Sequence, residues 1–394
     1  MPGPLAGVRV VDVSAVVSAP LATMMLADQG AHVVKVEPPA GEVMRLPHNT
    51  RGGMSAFFAN CNRGKRSIAI DLKQPRGREL VRELVREADV FVQNWRPGAA
   101  ERLGLSEPAL RELRPDLIYA SVSGYGDTGP YHDRPVYDPI IQGLTGHVAV
   151  QESPDVPIKD LVRNIVADKS SAYTLAQAIT AALFARERGA GGQHVHVPMI
   201  DASLAFFWPD GMMKHTLMGD GVANPTALYE VYRIWPTADG HLIWFSATPR
   251  ETHGLYRALG HPEWCDDPRF NGPARVAPEN RELLGGLIVE ALSQHKTQDL
   301  VAAMVAEQVP VGPVHSLEQV IEDPQIRHNR MVFEAEHPAY GRYRQSRPAA
   351  RFSVTPQAPG SSPPVLGEHT DAVLAELGYG EVERAALRVD GVVA

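Results

Sequence analysis

Cysteine is scarce in this sequence: Cys61 and Cys265 are the only two among 394 residues. Two cysteines cannot build a disulfide framework or a cysteine-rich zinc site. Disulfide scaffolds are typical of secreted domains, whereas reduced thiols are typical of the cytoplasm. We therefore expect both thiols to be reduced and the protein to be cytoplasmic.

Long apolar runs are also missing. The longest, residues 172–185, is shorter than the roughly 18 residues that a membrane helix needs, and Thr174, Gln177 and Thr180 interrupt it. The first residues, MPGPLAG, contain neither the basic start nor the apolar centre of a secretory signal. The sequence therefore predicts no association with a membrane.

The sequence has fewer basic than acidic residues: 38 Lys and Arg against 46 Asp and Glu, for a formal net charge of −8. Non-specific binding to nucleic acid needs a basic surface that displaces counterions from the phosphates. We expect no nucleic-acid partner.

Two common cofactor signatures are absent. Residues 14–20, which follow the first predicted strand, contain no Gly-x-Gly-x-x-Gly. A dinucleotide pyrophosphate needs those glycines for close approach of the backbone, so a nicotinamide coenzyme is not expected. His194 and His196 alternate in a strand without a third ligand nearby, which favours ordinary strand histidines over a metal site.

The first part of the chain alternates short apolar runs with helical sequence. Near-continuous apolar strands are typical of a parallel sheet that is covered on both faces. Residues 76–88 predict an amphipathic helix that follows Pro75. This alternation predicts an α/β fold with a Rossmann-like, doubly wound parallel sheet. The predicted strands are residues 8–13, 32–37, 67–71, 89–94 and 116–122.

The pattern changes after a long predicted helix over residues 170–188. Asp239-Gly240 lies between two short strand-like runs and predicts a hairpin, and two helical patterns follow it. We interpret residues 222–323 as a smaller α+β domain. Residues 1–221 and 324–394 would then form the large α/β domain together.

Basic residues cluster in the loops that follow the predicted strands. In an open parallel sheet, ligands bind outside the carboxyl ends of the strands. Such a cluster in an acidic protein is suited to an anionic ligand that carries phosphates, although solvated surface charge explains it equally well. The residues are Arg63, Lys65, Arg66 and Lys73.

Two aspartates stand at predicted helix starts. Asp168 comes just before the helix predicted to begin at Ser170, where an aspartate commonly caps the helix. Alternatively, the free N–H groups and the dipole of the helix start could keep this carboxylate ionised and nucleophilic. Tyr137 and Asp138 precede an apolar segment and are equally consistent with residues of a helix start.

Taken together, these segments resemble the family III CoA-transferases of the CaiB/BaiF type. This group includes formyl-CoA transferase and carnitine CoA-transferase, with the α-methylacyl-CoA racemases as relatives. The resemblance covers nearly the whole chain, and the order and spacing of its blocks are specific. The blocks include PLAGVRVVDVS, LADQGAHVVKVEPPAG, NCNRGKRSIAIDLK, ADVFVQNWRPGAAERLGL, VYDPIIQGLTG and VLGEHTDAVLAELGY.

The resemblance implies an acyl-CoA:carboxylate CoA-transferase with Asp168 as the covalent nucleophile. Its carboxylate would form a mixed anhydride with the acyl group and then an aspartyl-CoA thioester. Asp138 would assist, and Val17 and Ser18 would lie beside the thioester. The residues expected to contact coenzyme A are Val16, Ile70, Lys73, Asn94, Arg102, Arg66 and Tyr137.

This chain departs from its relatives at two positions. Val17 stands where formyl-CoA transferase has a glutamine that stabilises the covalent intermediate. Tyr137 stands where the racemases have a histidine, and exchange of an α-proton needs a base with a suitable pKa on each face of the carbon. A transferase is therefore favoured over a racemase, and a non-catalytic acyl-CoA-binding protein is a further alternative.

The family architecture also implies partners. We expect an acyl-CoA and a free carboxylic acid as substrates. We also expect a homodimer whose two subunits interlock, and neither a metal nor a nicotinamide.

Overall fold

The computed structural model describes residues 3–46, 50–152, 158–223, 226–271, 278–357 and 359–394. Its strands are, in chain order, Arg9–Asp12 (β1), His32–Glu37 (β2), Thr50–Arg51 (β3), Met54–Ser55 (β4), Lys65–Ala69 (β5), Val90–Gln93 (β6), Ile118–Ser123 (β7), His194–Pro198 (β8), Trp235–Pro236 (β9), His241–Trp244 (β10), Val311–Pro313 (β11), Val332–His337 (β12) and Gly341–Ser346 (β13).

Helices connect most of these strands. They are Ser18–Asp28 (α1), Ala56–Asn62 (α2), Pro75–Arg86 (α3), Ala99–Leu103 (α4), Glu107–Leu113 (α5), Asp138–Leu144 (α6), Val166–Ala185 (α7), Met199–Gly211 (α8), Met213–Thr216 (α9), Pro249–Ala258 (α10), Pro278–Ser293 (α11), Thr297–Ala306 (α12), Leu317–Glu322 (α13), Pro324–His328 (α14), Thr370–Glu376 (α15) and Glu381–Val389 (α16). Shorter helical turns are Val43–Arg45, Arg186–Ala190, Leu228–Glu230 and Pro262–Cys265.

Six of the described strands form one parallel sheet in the order β5-β2-β1-β6-β7-β8. The predicted α/β fold with a doubly wound parallel sheet is confirmed. From β1 the chain continues to β2 and β5 on one side of the sheet. It then returns to β6, next to β1, and continues to β7 and β8 on the other side. The carboxyl ends of β1 and β6 therefore flank the switch point, where open α/β sheets bind ligands.

The strands are apolar because both faces of the sheet are covered. Val10 packs on one face against α1, α7 and α8, and Val11 packs on the other face against α3, α5, α15 and α16. This alternation follows from the two-residue period of a strand. Both valines are at most 3% exposed, so the sheet is held between two apolar layers.

The described chain divides into two compact units. The first comprises residues 1–229 and 329–394 and contains the parallel sheet. The second, residues 230–328, has a three-stranded antiparallel sheet in the order β11-β10-β9 and its own apolar core. The predicted hairpin is confirmed, since β9 and β10 pair and the N–H of Thr237 donates to the carbonyl of Gly240 at 2.9 Å.

Among the described residues, no helix is both long enough and apolar enough to cross a bilayer. No three of their His, Cys, Asp and Glu side chains come together as a group that could hold a metal ion.

Candidate active site

Asp168 lies in the first turn of α7, at the carboxyl edge of the parallel sheet. The helix begins at Val166 with Ile165 as its N-cap, so Asp168 is its third residue. The prediction that Asp168 precedes the helix is wrong, because the helix starts four residues before Ser170. Asp168 is only 9% exposed and so lies largely out of water.

Asp138 supplies the hydrogen-bond acceptor that the start of α7 needs. One carboxylate oxygen of Asp138 accepts from the backbone N–H groups of Ala167 at 2.8 Å and Asp168 at 3.0 Å. Its other oxygen accepts from the side-chain amide of Gln142 at 2.5 Å. Asp138 is also the first residue of α6 with Tyr137 as N-cap, which confirms their predicted helix start. The side chain thus ties two helix starts together.

Ser18 approaches Asp168 from α1. The backbone N–H of Ser18, the first residue of α1, lies close to the Asp168 carboxylate and acts to lower its pKa. This N–H is free to do so because the first N–H groups of a helix have no partner within the helix. The positive end of the helix dipole lies in the same place and favours the ionised carboxylate.

Val16 has a backbone conformation that valine rarely adopts. Its φ angle is 71°, in the left-handed region, where a β-branched side chain is a clear outlier. Such a conformation costs about 1–3 kcal/mol and persists only when the surrounding structure enforces it. The strained residue lies two positions before Ser18 and so helps to set the direction of the Ser18 N–H.

The environment of Asp168 shifts its titration into the neutral range. Burial, and then the nearby charge of Asp138, raises the pKa of Asp168 from 3.8 to about 7, while the Ser18 N–H acts in the opposite direction. At neutral pH the carboxyl is therefore divided between its protonated and ionised forms. An acid whose pKa lies near the working pH is typical of catalytic groups.

The Cys61 thiol belongs to the same electrostatic environment as Asp168. Burial raises its pKa to about 11, and the charge of Asp168 adds to that effect. At neutral pH the thiol stays protonated and unreactive. Asp168 is thus a better candidate nucleophile than Cys61.

Charged side chains are buried next to the segment that leads from β1 into α1. Lys65 and Asp12 are both 0% exposed and form an ion pair, with 2.9 Å between Nζ and the carboxylate oxygen. Burial lowers the pKa of Lys65 to about 8 against the opposing effect of Asp12. Arg63 is similarly buried and pairs with Asp28 at 2.6 Å. Arg63 and Lys65 thus pair with protein carboxylates and are not exposed loop cations.

A cavity of about 390 Å³ opens at the carboxyl ends of β1, β2, β5 and β6, next to the switch point. Its walls are largely apolar and include Trp95 and Ile70. Lys73, an exposed cation, stands at the same cavity. An apolar slot beside a cation is suited to a planar ring that carries phosphates.

The other sequence-predicted contacts lie in different places. Asn94 donates to and accepts from the backbone of the loop before α1 rather than standing free. Arg102 is exposed on α4, and Tyr137 is 69% exposed. Arg66 is not brought to the Lys73 cavity: it pairs with Glu376 at 2.8 Å and lines a separate cavity of about 400 Å³.

Sequence reasoning missed the buried charges Asp12 and Lys35, and it misread Lys65. Each is 0% exposed and belongs to a strand of the parallel sheet. A signal was available for Asp12 and Lys35, because each interrupts a run of valines, in VRVVDV and HVVKVE. A charged residue inside a buried strand needs a partner nearby.

The family profile described as CoA-transferase family III matches residues 5–370. A succinate–glutarate CoA-transferase of Agrobacterium fabrum is 37% identical over 393 residues, which cover 95% of this chain and 96% of that protein. A formyl-CoA:oxalate CoA-transferase of Streptomyces avermitilis is 31% identical, with 99% of each chain covered.

A solved structure gives the same result. The crystal structure of a CaiB/BaiF family protein from Brucella suis is similar with a TM-score of 0.84 and 32% identity, over 96% of this chain and 100% of that one. Fold and sequence therefore agree on the class, an α/β enzyme of the CaiB/BaiF type. The chain belongs to CoA-transferase family III, as the resemblance predicted. It is an enzyme that transfers coenzyme A between an acyl thioester and a carboxylate.

Proposed function

We propose that this CoA-transferase works through covalent intermediates on Asp168. The single observation that carries the proposal is a buried carboxylate in the first turn of α7, beside the free N–H of Ser18 at the start of α1. Direct attack of a free carboxylate on a thioester is slow, and a covalent carrier divides it into easier steps.

The reaction proceeds through two covalent intermediates on Asp168. A carboxylate oxygen of Asp168 attacks the thioester carbon, and the C–S bond breaks to give a mixed anhydride and CoA thiolate. The thiolate attacks the aspartyl carbonyl of the anhydride and releases the donor acid, which leaves an aspartyl-CoA thioester. The acceptor carboxylate then repeats both steps in reverse, and Asp168 is regenerated as a carboxylate.

Ser18 provides the donor that such a site requires. In both attacks a carbonyl oxygen acquires negative charge beside the start of α1, and a backbone N–H already aimed there stabilises it without reorganisation. Val17 cannot do this with its side chain. We therefore assign to the Ser18 backbone the contact that a glutamine side chain would make at position 17.

The cavity beside Lys73 is proposed to hold the nucleotide of coenzyme A. Its volume, apolar walls and position at the switch point support this assignment. Ile70 and Trp95 would contact the adenine, and Lys73 would contact a phosphate. Asn94 would act indirectly, by holding the backbone of Ala15 at 2.7 and 2.9 Å.

Small dicarboxylic acids are the acceptor class that we propose. The names of the relatives from Agrobacterium fabrum and Streptomyces avermitilis contain succinate, glutarate and oxalate. The relative at 37% identity is the succinate–glutarate enzyme, so succinyl-CoA with glutarate is the first pair to test.

The test is whether the product depends on an acceptor. Purified enzyme with succinyl-CoA should form glutaryl-CoA only when glutarate is supplied, measured by liquid chromatography of the CoA esters. A succinyl thioester of N-acetylcysteamine, which lacks the nucleotide, should react far more slowly because it cannot use the Lys73 cavity. The control is a reaction without a carboxylic acid, in which no new ester should form.

Two results would contradict the transferase. One is incorporation of solvent deuterium at the α-carbon of a 2-methylacyl-CoA without an acceptor, which would indicate a racemase. The other is tight binding of acyl-CoA with no turnover on any carboxylic acid, which would indicate a binding protein. Tyr137 stands where the racemases have a histidine, so the site gives no support to the racemase.

We also propose that the enzyme is a homodimer. Helices α6, α7 and α8 pack against one another and carry large apolar side chains that are 49–67% exposed. Exposed apolar side chains in such number are typical of a surface that a protein covers. They are Ile140, Leu144, Tyr173, Phe184 and Phe206.

The molar mass in solution checks the dimer. Light scattering should give twice the 42.9 kDa of one chain. Phe184→Glu should increase the monomer fraction, since it places a charge in the covered surface. A wild-type mass of one chain at micromolar concentration would contradict the proposal.

A further inference from the structure

The segment of residues 14–20, which follows β1 and includes the start of α1, is held at its first two residues by the side chains of Lys35 and Asn94. Lys35 donates from Nζ to the carbonyl of Ser14 at 2.9 Å. Asn94 accepts from the N–H of Ala15 at 2.9 Å and donates to its carbonyl at 2.7 Å. Three backbone groups of the segment are thus fixed by residues of two neighbouring strand ends.

Lys65 and Asp12 hold both ends of the same segment. Lys65 directs its ammonium to Asp12 at 2.9 Å, to the carbonyl of Pro20 at 2.8 Å and to the side chain of Asn62 at 2.7 Å. An ammonium has three N–H groups, so all of them are used. Asp12 accepts from the backbone N–H of Ser14 at 2.9 Å, so one ion pair contacts the first and the last residue of the segment.

Between these two fixed ends lies Val16, with its left-handed φ of 71°. Valine does not prefer this conformation, so a segment released at its ends would relax to negative φ. Relaxation at Val16 would change the direction of the Ser18 N–H, two residues later. The bonds at the ends are therefore coupled to the contact between Ser18 and Asp168.

We propose that Lys65 and Asp12 are positioning residues of the Asp168 site, which hold residues 14–20 in the strained conformation that aims the Ser18 N–H at the Asp168 carboxylate. This inference rests on the role proposed above for Asp168. Neither residue is assigned contact with the substrate. Their effect is on the direction of one hydrogen bond.

A buried ion pair in the same unit provides the matched control. Arg63 donates two hydrogen bonds to Asp28, at 2.9 and 2.6 Å, and both residues are at most 5% exposed. Neither hydrogen bond reaches residues 14–20. If the buried pairs Lys65–Asp12 and Arg63–Asp28 both served stability alone, disruption of either one would lower the stability of the protein and leave the titration of Asp168 unchanged.

The measured quantity is the titration midpoint of Asp168 in the free protein, which requires no substrate. Difference infrared spectra against Asp168→Asn would isolate the C=O band of the protonated carboxyl as pH is varied. The other groups that face Asp168 are Asp138 from α6 and the Cys61 thiol from α2, and both stay in place. Failure of the proposed activity would leave this measurement unaffected.

Two variants separate positioning from simple charge. Lys65→Met removes a positive charge and Asp12→Asn removes a negative one, so a purely Coulombic effect would move the midpoint in opposite directions. Loss of the aimed N–H destabilises the ionised form of Asp168 and therefore raises the midpoint in both. We expect an upward shift of about one pH unit, the size of one hydrogen bond to a charged group.

Arg63→Met should lower the unfolding temperature and leave the midpoint at its wild-type value. An unchanged midpoint in Asp12→Asn, a downward shift in it, or an equal shift in Arg63→Met would overturn the proposal. If Lys65→Met does not fold, Asp12→Asn decides alone, because positioning and charge predict opposite signs for it.

Discussion

Replacement of Asp168 by asparagine is expected to abolish CoA transfer, with a fall in kcat/KM of at least about 10⁴-fold. The amide has the shape of the carboxylate but cannot attack a thioester or carry the acyl group.

Replacement of Asp168 by asparagine should also stabilise the folded protein above pH 7. The folded carboxyl has a raised pKa of about 7, so its ionisation destabilises the protein as pH rises from 3.8 to about 7.

Covalent trapping locates the reaction on the chain. Enzyme incubated with acyl-CoA and then treated with hydroxylamine should carry a hydroxamate in the tryptic peptide of residues 164–169, whose sequence is NIVADK. Mass spectrometry should find this product in the wild type and not in Asp168→Asn. Asp168 is the only carboxylate side chain in that peptide, so the assignment is direct.

Asp201 supplies the matched control. It is the third residue of α8, as Asp168 is of α7, but it is exposed. Asp201→Asn should keep its turnover and its label on residues 164–169. Turnover retained after Asp168→Asn, or a hydroxamate on a different peptide, would show that another group carries the acyl chain.

Much of the fold could be predicted from the sequence because the signals are local. The run HVVKVE predicts a strand and forms β2 over the same residues, His32–Glu37. Residues 76–88 predict a helix that the structure gives as Pro75–Arg86. Strand β2 is a short, nearly continuous apolar run, and α3 buries its apolar positions with the helical period, so in both cases a short window contains the information.

The arrangement of the site could not be predicted in the same way. The sequence places α7 four residues too late, because the acceptor for its first N–H groups is Asp138, 30 residues earlier. Nothing in a window around Asp168 reveals that partner. The contact with Ser18, 150 positions away, exists only once α1 and α7 pack on the same face of the sheet.

Lys65 shows how a loop pattern can mislead. Arg-Gly-Lys-Arg between two elements resembles an exposed basic loop that awaits a phosphate. In the structure Lys65 is the first residue of β5, is 0% exposed and forms an ion pair with Asp12. Whether a residue falls inside a strand or in the loop before it decides whether its side chain is buried. Sequence determines the ends of strands poorly, so the burial of Lys65 was not predicted.

Asp138 acts on Asp168 in two ways that two substitutions can separate. It accepts two hydrogen bonds from the first turn of α7, and its charge raises the pKa of Asp168. Asp138→Asn keeps one acceptor oxygen and removes the charge. Asp138→Ala removes both, and leaves the N–H groups of Ala167 and Asp168 buried without a partner.

We expect the asparagine variant to move the acid limb of the kcat/KM profile to lower pH. Without the neighbouring charge the pKa of Asp168 falls below about 7, so more of the nucleophile is ionised at pH 6. This profile reports the groups of the free enzyme. An unmoved limb would mean that Asp138 does not act on Asp168 through its charge.

The alanine variant should lose stability by about 2–4 kcal/mol in urea unfolding, because two buried N–H groups lose their acceptor. Its kcat/KM should fall by about 10²-fold or more, since the first turn of α7 no longer holds Asp168 in place. Asp160→Ala is the control: this exposed carboxylate also accepts from a backbone N–H, that of Leu161 at 2.7 Å, yet its removal should leave stability almost unchanged because water replaces an exposed partner. An alanine variant as active as the asparagine variant would show that the charge matters and the hydrogen bonds do not. If the start of α7 depends on its hydrogen bonds to Asp138, the alanine variant must be less active than the asparagine variant.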